Sequence, residues 1–145
     1  MALYVLVVDD DELNRRLVER VLQGRGFEVE LVENASAAFA AIDRRRPDLI
    51  VLDVMMPGIT GVDVLEQIKS NPRLAAIPVI MLTSRTSDDD LIASYRSGAD
   101  YYITKPLVAD ELLHGIALVL GRDIDRVAPE LAAWRDARPD RPRSR

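Results

Sequence analysis

Polar and charged side chains follow four of the apolar runs in the sequence, at the point where each run ends. Asp9 and Asp10 come directly after the first run, Asp53 after the third, Thr83 after the fourth and Lys105 after the fifth. Carboxylate oxygens are ligands that Mg²⁺ prefers, and an ammonium group and a hydroxyl can both contact phosphoryl oxygens. These residue types predict phosphoryl chemistry with a carboxylate nucleophile, provided that the fold brings them together.

The elements that must position these residues alternate between strands and helices. Short apolar runs rich in β-branched residues predict five strands, at residues 3–8, 28–32, 48–52, 78–82 and 100–104. Helical spacing predicts a helix after each strand, the last at 109–120. Repeated βα units form right-handed crossovers, so we expect one α/β domain, a doubly wound five-stranded parallel sheet with helices on both faces, to about residue 120.

Local signals mark where several helices begin and end. Asp11 is expected to cap the first helix, Asn34 or Ser36 the second, and Ser87 the fourth. In the first helix, apolar residues recur at helical spacing, at Leu13, Leu17, Val21 and Leu22. The basic run 44–46 ends the second helix and is interpreted as a solvated helix end that favours the dipole.

The carboxyl ends of parallel strands form one edge of the sheet, where ligands bind at the point of strand-order reversal. Two carboxylates at ~4 Å repel by about 4 kcal/mol at an effective dielectric near 20, so a cluster of three requires protons or cations. An all-oxygen site fits Mg²⁺, and the layout places Asp53 deepest in the cleft, as the nucleophile. Each residue alone could have an ordinary structural role, as a helix cap, turn or loop residue. Because polar residues follow four strand ends together, a functional site is favoured over four separate structural roles.

Composition excludes several other classes of protein. The 145 residues contain no cysteine, so thiol nucleophiles, disulfide scaffolds and zinc–thiolate sites are excluded. No apolar run approaches the roughly 18 residues of a membrane span, and the acidic N-terminus does not resemble a signal peptide. The chain has a net charge of −5, and residues 1–120 carry 12 basic and 19 acidic residues, which argues against non-specific nucleic-acid binding by this part of the chain. We therefore expect a cytoplasmic protein.

Four stretches together resemble the receiver domain of two-component response regulators, close to the single-domain chemotaxis type in size. They are VLVVDDDELNRRL, PDLIVLDVMMPGITGVDVL, IPVIMLTS and GADYYITKP, in family order over residues 3 to about 120. The resemblance implies a flavodoxin-like sheet with strand order 2-1-3-4-5. It also implies a receiver domain at 1–121, followed by a C-terminal extension at 122–145.

The resemblance also implies a role for each site residue. Asp53 matches the aspartate that accepts a phosphoryl group. Asp9 and Asp10 match the acidic pair that holds Mg²⁺, with Asp10 as the more direct ligand, and the backbone carbonyl of Met55 matches a further ligand.

Three other positions match the parts of the family that respond to phosphorylation. Thr83 matches the switch hydroxyl, and Lys105 matches the lysine that pairs with the phosphoryl group. Tyr102 matches the aromatic switch, although Tyr101 stands beside it; strand alternation points the two rings in opposite directions. The family pattern predicts a cis peptide bond before Pro106.

The implied function is a phosphorylation-dependent signalling switch, not an enzyme beyond its own phosphorylation and dephosphorylation. Its donor would be a sensor histidine kinase or histidine phosphotransfer protein. A downstream protein would recognise the surface formed by the last two helices and the fifth strand. This domain would contact neither nucleic acid nor membrane. It could also form a phosphorylation-dependent homodimer. Two alternatives stay open: the receiver part of a longer regulator, and an aspartate-nucleophile phosphohydrolase, which the adjacent Asp9-Asp10 pair and the lack of room for a cap domain disfavour.

Three features lie outside this scheme. The extension carries Val127, Leu131 and Trp134 at helical spacing, which predicts a short helix before a polar tail rich in arginine and proline. His114, the single histidine, is interpreted as an ordinary residue of the last helix. Lys69, one of two lysines among 19 basic residues, has no explanation beyond solvation.

Overall fold

Strands and helices alternate along the described part of the chain, which comprises residues 3–54, 56, 58–83 and 98–121 of a computed structural model. The strands are β1 (Tyr4–Val8), β2 (Glu28–Val32), β3 (Leu49–Asp53), β4 (Val79–Thr83) and β5 (Tyr101–Thr104). The helices are α1 (Glu12–Gln23), α2 (Ala35–Arg44), α3 (Gly61–Ser70) and α4 (Ala109–Leu120). β3 and β4 each end one residue later than predicted, so Asp53 and Thr83 are the last residues of their strands.

All five strands are parallel and lie in the order β2-β1-β3-β4-β5. This order confirms the predicted doubly wound, flavodoxin-like sheet. Every residue of β1, β3 and β4 is buried. A strand buried on both faces reads as a continuous apolar run, which is why these three strands were clear in the sequence.

Helices cover both faces of the sheet, as predicted. On one face, Val18 and Leu22 of α1 and Leu112 and Ile116 of α4 belong to one core cluster. On the other face, α2 and α3 contribute to a second cluster, which includes Ile42, Val64, Leu65 and Ile68. The predicted caps Asp11 and Asn34 each accept a hydrogen bond from a backbone N–H of the helix that follows.

The buried face of α1 differs from the apolar spacing in the sequence. Leu13 and Leu17 are 78% and 41% exposed, whereas Val18 and Leu22 are fully buried. The four apolar residues singled out in the sequence spread over more than one face of the helix, and α1 lies on the sheet by the face that carries Val18 and Leu22. Spacing therefore predicted the helix but not its orientation.

Lys69 is not merely solvated, and that interpretation was wrong. Its Nζ donates to the carbonyl oxygens of Ala75, at 3.0 Å, and Ile77, at 2.8 Å, and to Oδ2 of Asp100 at 3.0 Å. The same Asp100 oxygen accepts from the backbone N–H of Val79 at 2.8 Å. Lys69 thus joins the end of α3 to the segments that lead into β4 and β5.

Two of the three arginines at the C-terminal end of α2 pair with the edge strand β2, so the run is more than a solvated helix end. Arg44 pairs with Glu30 at 2.6 Å, and Arg45 pairs with Glu28. The Arg45 guanidinium lies 4.0 Å from the centre of the Tyr4 ring. The Tyr4 hydroxyl donates to Glu30 at 2.8 Å, and burial together with this hydrogen bond raises the pKa of Tyr4 to about 12.

Some predicted elements lie outside the described residues. These are the helix expected after Ser87 and the extension at 122–145. Within the described residues, no helix has both the length and the apolar content needed to cross a lipid bilayer.

Candidate functional site

Strand register brings the predicted site residues to one edge of the sheet. Val8 of β1 pairs with Leu52 of β3, so the next residues, Asp9 and Asp53, lie at the same level on neighbouring strands. Thr83 of β4 pairs with Thr104 of β5. The carboxyl ends of β1, β3, β4 and β5 therefore converge, as the sequence predicted.

Three of the predicted residues are buried at this edge. Asp9, Asp53 and Thr83 are 0%, 3% and 1% exposed, and Asp10 is exposed. A buried carboxylate is costly unless a cation or hydrogen-bond donors compensate its charge. The residues that meet these carboxylates therefore decide what the site can do.

Lys105 is the cation that faces both buried carboxylates. Its Nζ lies 3.3 Å from Oδ2 of Asp53 and 3.8 Å from Oδ2 of Asp9. The backbone N–H of Lys105 donates to the carbonyl of Thr83 at 2.7 Å, which fixes the start of the loop after β5. The peptide bond between Lys105 and Pro106 is cis, as the family pattern predicted.

The three aspartates form an acidic cluster suited to a metal ion. Each of Asp9, Asp10 and Asp53 offers one carboxylate oxygen, and these oxygens lie within 4.8 Å of one another. Oδ2 of Asp9 is buried and accepts no hydrogen bond from any described residue. Because a buried oxygen without a donor calls for a cation, and because all donors are oxygens, the cluster fits Mg²⁺.

The other oxygen and the backbone of Asp9 are held by α1. Oδ1 of Asp9 accepts from the backbone N–H of Asp11 at 2.9 Å, and Arg15 donates through Nη1 to the carbonyl of Asp9 at 2.7 Å. Arg15 also lies 3.9 Å from Glu33. Sequence reasoning missed Arg15, and no local signal separates it from the other arginines of α1.

The first turn of α3 packs directly on the backbone of Asp53. A Cβ atom on Gly61 would lie 2.0 Å from the carbonyl oxygen of Asp53, so only glycine fits. Thr60 caps the helix, and its side chain and that of Asp63 bond each other's backbone N–H groups. Sequence reasoning did not place Thr60 or Gly61 at the site, although the Thr-x-x-Asp spacing could have indicated the capping box.

The two adjacent tyrosines of β5 face opposite sides of the sheet, as alternation predicted. Tyr101 packs with the core cluster under α1 and α4, and Tyr102 packs with the cluster under α2 and α3. A Cβ on Gly115 would lie 2.7 Å from the Tyr101 ring, so this glycine makes room for it. Tyr101 is thus a packing residue, which leaves Tyr102 as the candidate switch.

One predicted ligand falls outside the described residues, namely the carbonyl of Met55. The described residues combine an acidic cluster, a buried hydroxyl and one lysine at a single sheet edge. A negatively charged group with several oxygens, such as a phosphoryl group, can be neutralised there by Lys105 and a bound cation.

A family model and the curated relatives of this chain indicate the same protein family. The family model for the response regulator receiver domain matches residues 5–117. The chain is 36% identical over 128 residues to the DNA-binding response regulator MtrA of Mycolicibacterium smegmatis, a match that covers 88% of this chain and 55% of MtrA. It is 40% identical over 121 residues to the sensory transduction protein RegX3 of Mycobacterium bovis, covering 83% of this chain and 52% of RegX3. The chain thus spans about half the length of these relatives.

A solved structure of another protein has the same fold as this chain. The chemotaxis response regulator CheY4 of Vibrio cholerae superposes with a TM-score of 0.77 at 32% identity, over 83% of this chain and all of that one.

Proposed function

The chain belongs to the response regulator receiver domain family, and we propose that it accepts a phosphoryl group on Asp53 and switches protein contacts in response. The observation that supports this proposal most is the position of Lys105, whose Nζ lies 3.3 Å from Asp53 within an acidic cluster. A fixed positive charge beside a buried carboxylate would stabilise the negative charge of a phosphoryl group transferred to it.

The donor is a phosphohistidine on a sensor histidine kinase or a histidine phosphotransfer protein. An Asp53 carboxylate oxygen forms the new O–P bond while the N–P bond of the phosphohistidine breaks, and the imidazole leaves with the electron pair. Lys105 neutralises one phosphoryl oxygen and the Thr83 hydroxyl donates to another. The result is an acyl phosphate buried at the end of β3.

Asp9, Asp10 and Asp53 would hold Mg²⁺, with the carbonyl of Met55 as a further ligand. Bound Mg²⁺ lowers the electrostatic cost of bringing a phosphoryl group to this acidic edge. Asp9 suits this role because its Oδ2 atom is buried without a hydrogen-bond donor among the described residues, while Arg15 and Asp11 hold the rest of the residue.

Thr83 and Tyr102 couple the site to the surface. Both lie near the carboxyl edge, on adjacent strands β4 and β5, so a hydroxyl drawn toward the phosphoryl group leaves space that the Tyr102 ring can enter. The surface formed by β5, the last helix and the helix expected after Ser87 then differs between the two states. A downstream protein in the cytoplasm recognises that difference. This domain itself contacts neither nucleic acid nor membrane. A phosphorylation-dependent homodimer forms on the same surface.

Acetyl phosphate labelling tests the proposal. Wild-type protein with Mg²⁺ should gain one phosphoryl group by intact mass, and Asp53→Asn should gain none. Asp43→Asn removes an exposed carboxylate of α2 and should label as the wild type does. Undiminished labelling of Asp53→Asn would reject the assignment, and turnover of a generic phosphate ester would favour a phosphohydrolase.

A second form of the same function is a receiver within a longer regulator. The match covers only about half of each relative, and one relative is named a DNA-binding response regulator. In that form the partner of the switching surface would be an output domain on the same polypeptide. The length of the encoded gene distinguishes the two forms.

A further inference from the structure

Four arginines line one cleft at the end of the sheet opposite the acidic cluster. Arg44, Arg45 and Arg46 lie at the C-terminal end of α2, and Arg73 belongs to the turn that follows α3. The cleft has a volume of about 410 Å³, which lies in the range of small-molecule pockets. Because α2 leads into β3 and the turn leads into β4, the cleft lies at the amino ends of these two strands. The length of β3, about 16 Å for five residues, separates it from Asp53 at the carboxyl end.

Only two of the four guanidinium groups are neutralised by a carboxylate. Arg44 and Arg45 each pair with a glutamate of β2. Arg46 and Arg73 form no ion pair with any described residue. Asp43 is the one acidic residue among the described residues that line the cleft, and it pairs with neither of them. The cleft therefore holds two positive charges that an anionic ligand can neutralise.

Backbone contacts hold Arg46 in position without using up its donors. Its Nη1 donates to the carbonyl oxygen of Arg73, which is 27 residues away, and the backbone N–H of Arg73 donates to Oδ1 of Asn71 at 2.9 Å. A guanidinium group has five N–H donors, so Arg46 retains donors for a ligand. The side chain of Arg73 makes no hydrogen bond with any described residue, so all of its donors are available. The two guanidinium groups are thus brought to one cleft by two distant segments.

The lining of the cleft also has an apolar part. Ile42 is a member of the second core cluster, Leu74 packs against that cluster, and both residues line the cleft. Guanidinium groups match phosphate oxygens with two parallel hydrogen bonds and also stack on flat rings. A ligand that carries phosphate at one end and a flat, partly apolar body at the other can therefore use both parts of the lining.

The charge of the surroundings favours a small ligand over a nucleic acid. Residues 1–120 contain 12 basic and 19 acidic residues, and four of those basic residues line this cleft. A nucleic acid extends well beyond the cleft and would meet the acidic remainder of the surface. A small ligand stays within about 8 Å of the four guanidinium groups, the distance over which charges interact at physiological ionic strength.

We propose that this cleft binds a small organic phosphate of the nucleoside diphosphate type. Arg46 and Arg73 contact the phosphate oxygens, and Ile42 and Leu74 contact the body of the ligand. The bound ligand joins the end of α2 to the turn after α3. The site lies at the opposite edge of the sheet from Asp53, so binding does not depend on whether Asp53 accepts a phosphoryl group.

Isothermal titration calorimetry of the full chain with ADP tests the proposal, with pyrophosphate and a duplex oligonucleotide as the other probes. The buffer contains no Mg²⁺, since Mg²⁺ would bind the probes themselves. Arg73→Gln removes one exposed guanidinium, and a double variant adds Arg46→Gln. The matched control combines Arg20→Gln with Arg25→Gln, which removes two exposed arginines from the end of α1 on the opposite face of the sheet. Melting curves check that all variants are folded.

We expect one ADP to bind per chain, with an affinity that falls about three-fold or more in Arg73→Gln and at least about ten-fold in the double variant. The control pair should bind ADP as the wild type does. Pyrophosphate should bind more weakly than ADP, because it has no body to contact Ile42 and Leu74.

Three results would overturn the proposal. They are the absence of ADP binding at millimolar concentration, an equal loss of affinity in the two double variants, and pyrophosphate or duplex oligonucleotide bound as tightly as ADP. None of these measurements involves labelling of Asp53, so their failure is distinct from failure of the proposed function.

Discussion

The Nζ atom of Lys69 lies 3.0 Å from Oδ2 of Asp100, and this ion pair joins the last turn of α3 to the residue before β5. Both side chains have further partners in the backbone, at Ala75, Ile77 and Val79. The pair therefore fixes where β5 starts, and β5 carries Tyr102 and leads into Lys105.

Replacing Lys69 by methionine should cost about 2–3 kcal/mol of unfolding free energy, because two carbonyls and one carboxylate lose their shared donor. Urea titration measures this loss. Arg73→Met removes an exposed positive charge from the turn that follows α3 and should change stability by less than about 0.5 kcal/mol. Equal losses of unfolding free energy in the two variants would show that the removed positive charge, and not the contacts of Lys69, causes the loss.

Gly61→Ala should destabilise the protein by about 2–3 kcal/mol, because the new Cβ would lie 2.0 Å from the Asp53 carbonyl oxygen and the start of α3 must move. Gly24→Ala is the matched control, since Gly24 is in the right-handed helical region and its Cβ would lie 3.2 Å from the nearest atom. Thermal denaturation compares the two. A smaller effect at Gly61 than at Gly24 would contradict the close packing of α3 on Asp53.

Mg²⁺ should stabilise the folded chain, by about 1.4 kcal/mol at ten times its dissociation constant. Asp9→Asn should remove most of this stabilisation, because it replaces the buried oxygen that has no hydrogen-bond donor among the described residues. Melting temperature as a function of Mg²⁺ concentration is the measurement. Asp43→Asn should respond like the wild type, and an unchanged response of Asp9→Asn would exclude it from the metal site.

Lys105→Met should separate two effects of the lysine. Labelling by acetyl phosphate should slow by about 100-fold or more, because the phosphoryl group loses a fixed cation. Mg²⁺ binding should tighten, because a positive charge 3.3–3.8 Å from two carboxylates of the acidic cluster is gone. Slower labelling with weaker Mg²⁺ binding would instead indicate that the loop after β5 had been displaced.

Tyr4 should make stability fall between pH 10 and 12. Burial and the hydrogen bond to Glu30 raise its pKa to about 12, so the unfolded chain loses this proton first. The contribution of the Tyr4 proton to the free energy of unfolding is complete below pH 10, and up to about 2–3 kcal/mol of it is lost as the pH rises through 12. Unfolding free energies of the wild type and Tyr4→Phe across this range test the prediction, which requires the phenylalanine variant to have the shallower slope.

The sequence was most informative where one side chain or one strand decides the structure. Buried strands appear as apolar runs, and the caps Asp11 and Asn34 depend on a few neighbouring residues. The convergence of Asp9, Asp53 and Lys105 follows from strand ends in a parallel sheet, so the candidate site could also be located.

Contacts between distant segments could not be predicted in the same way. Lys69 and Asp100 are 31 residues apart, and nothing near Lys69 in the sequence indicates its partner. Leu13 and Leu17 satisfy helical spacing as well as Leu22 does, and only the placement of α1 on the sheet decides that Leu22 is buried. The same holds for Arg15, whose bond to the Asp9 carbonyl depends on how α1 packs.

The strand order has a consequence for the growing chain. Asp9, Asp10 and Asp53 are all synthesised before Lys105, and β5 is the last strand to be added at the far edge of the sheet. A chain that has not yet emerged beyond β4 holds three carboxylates without the ammonium group that faces two of them. The complete charge balance of this cluster exists only after the final strand docks, so an incompletely translated chain carries the proposed acceptor Asp53 but not the lysine beside it.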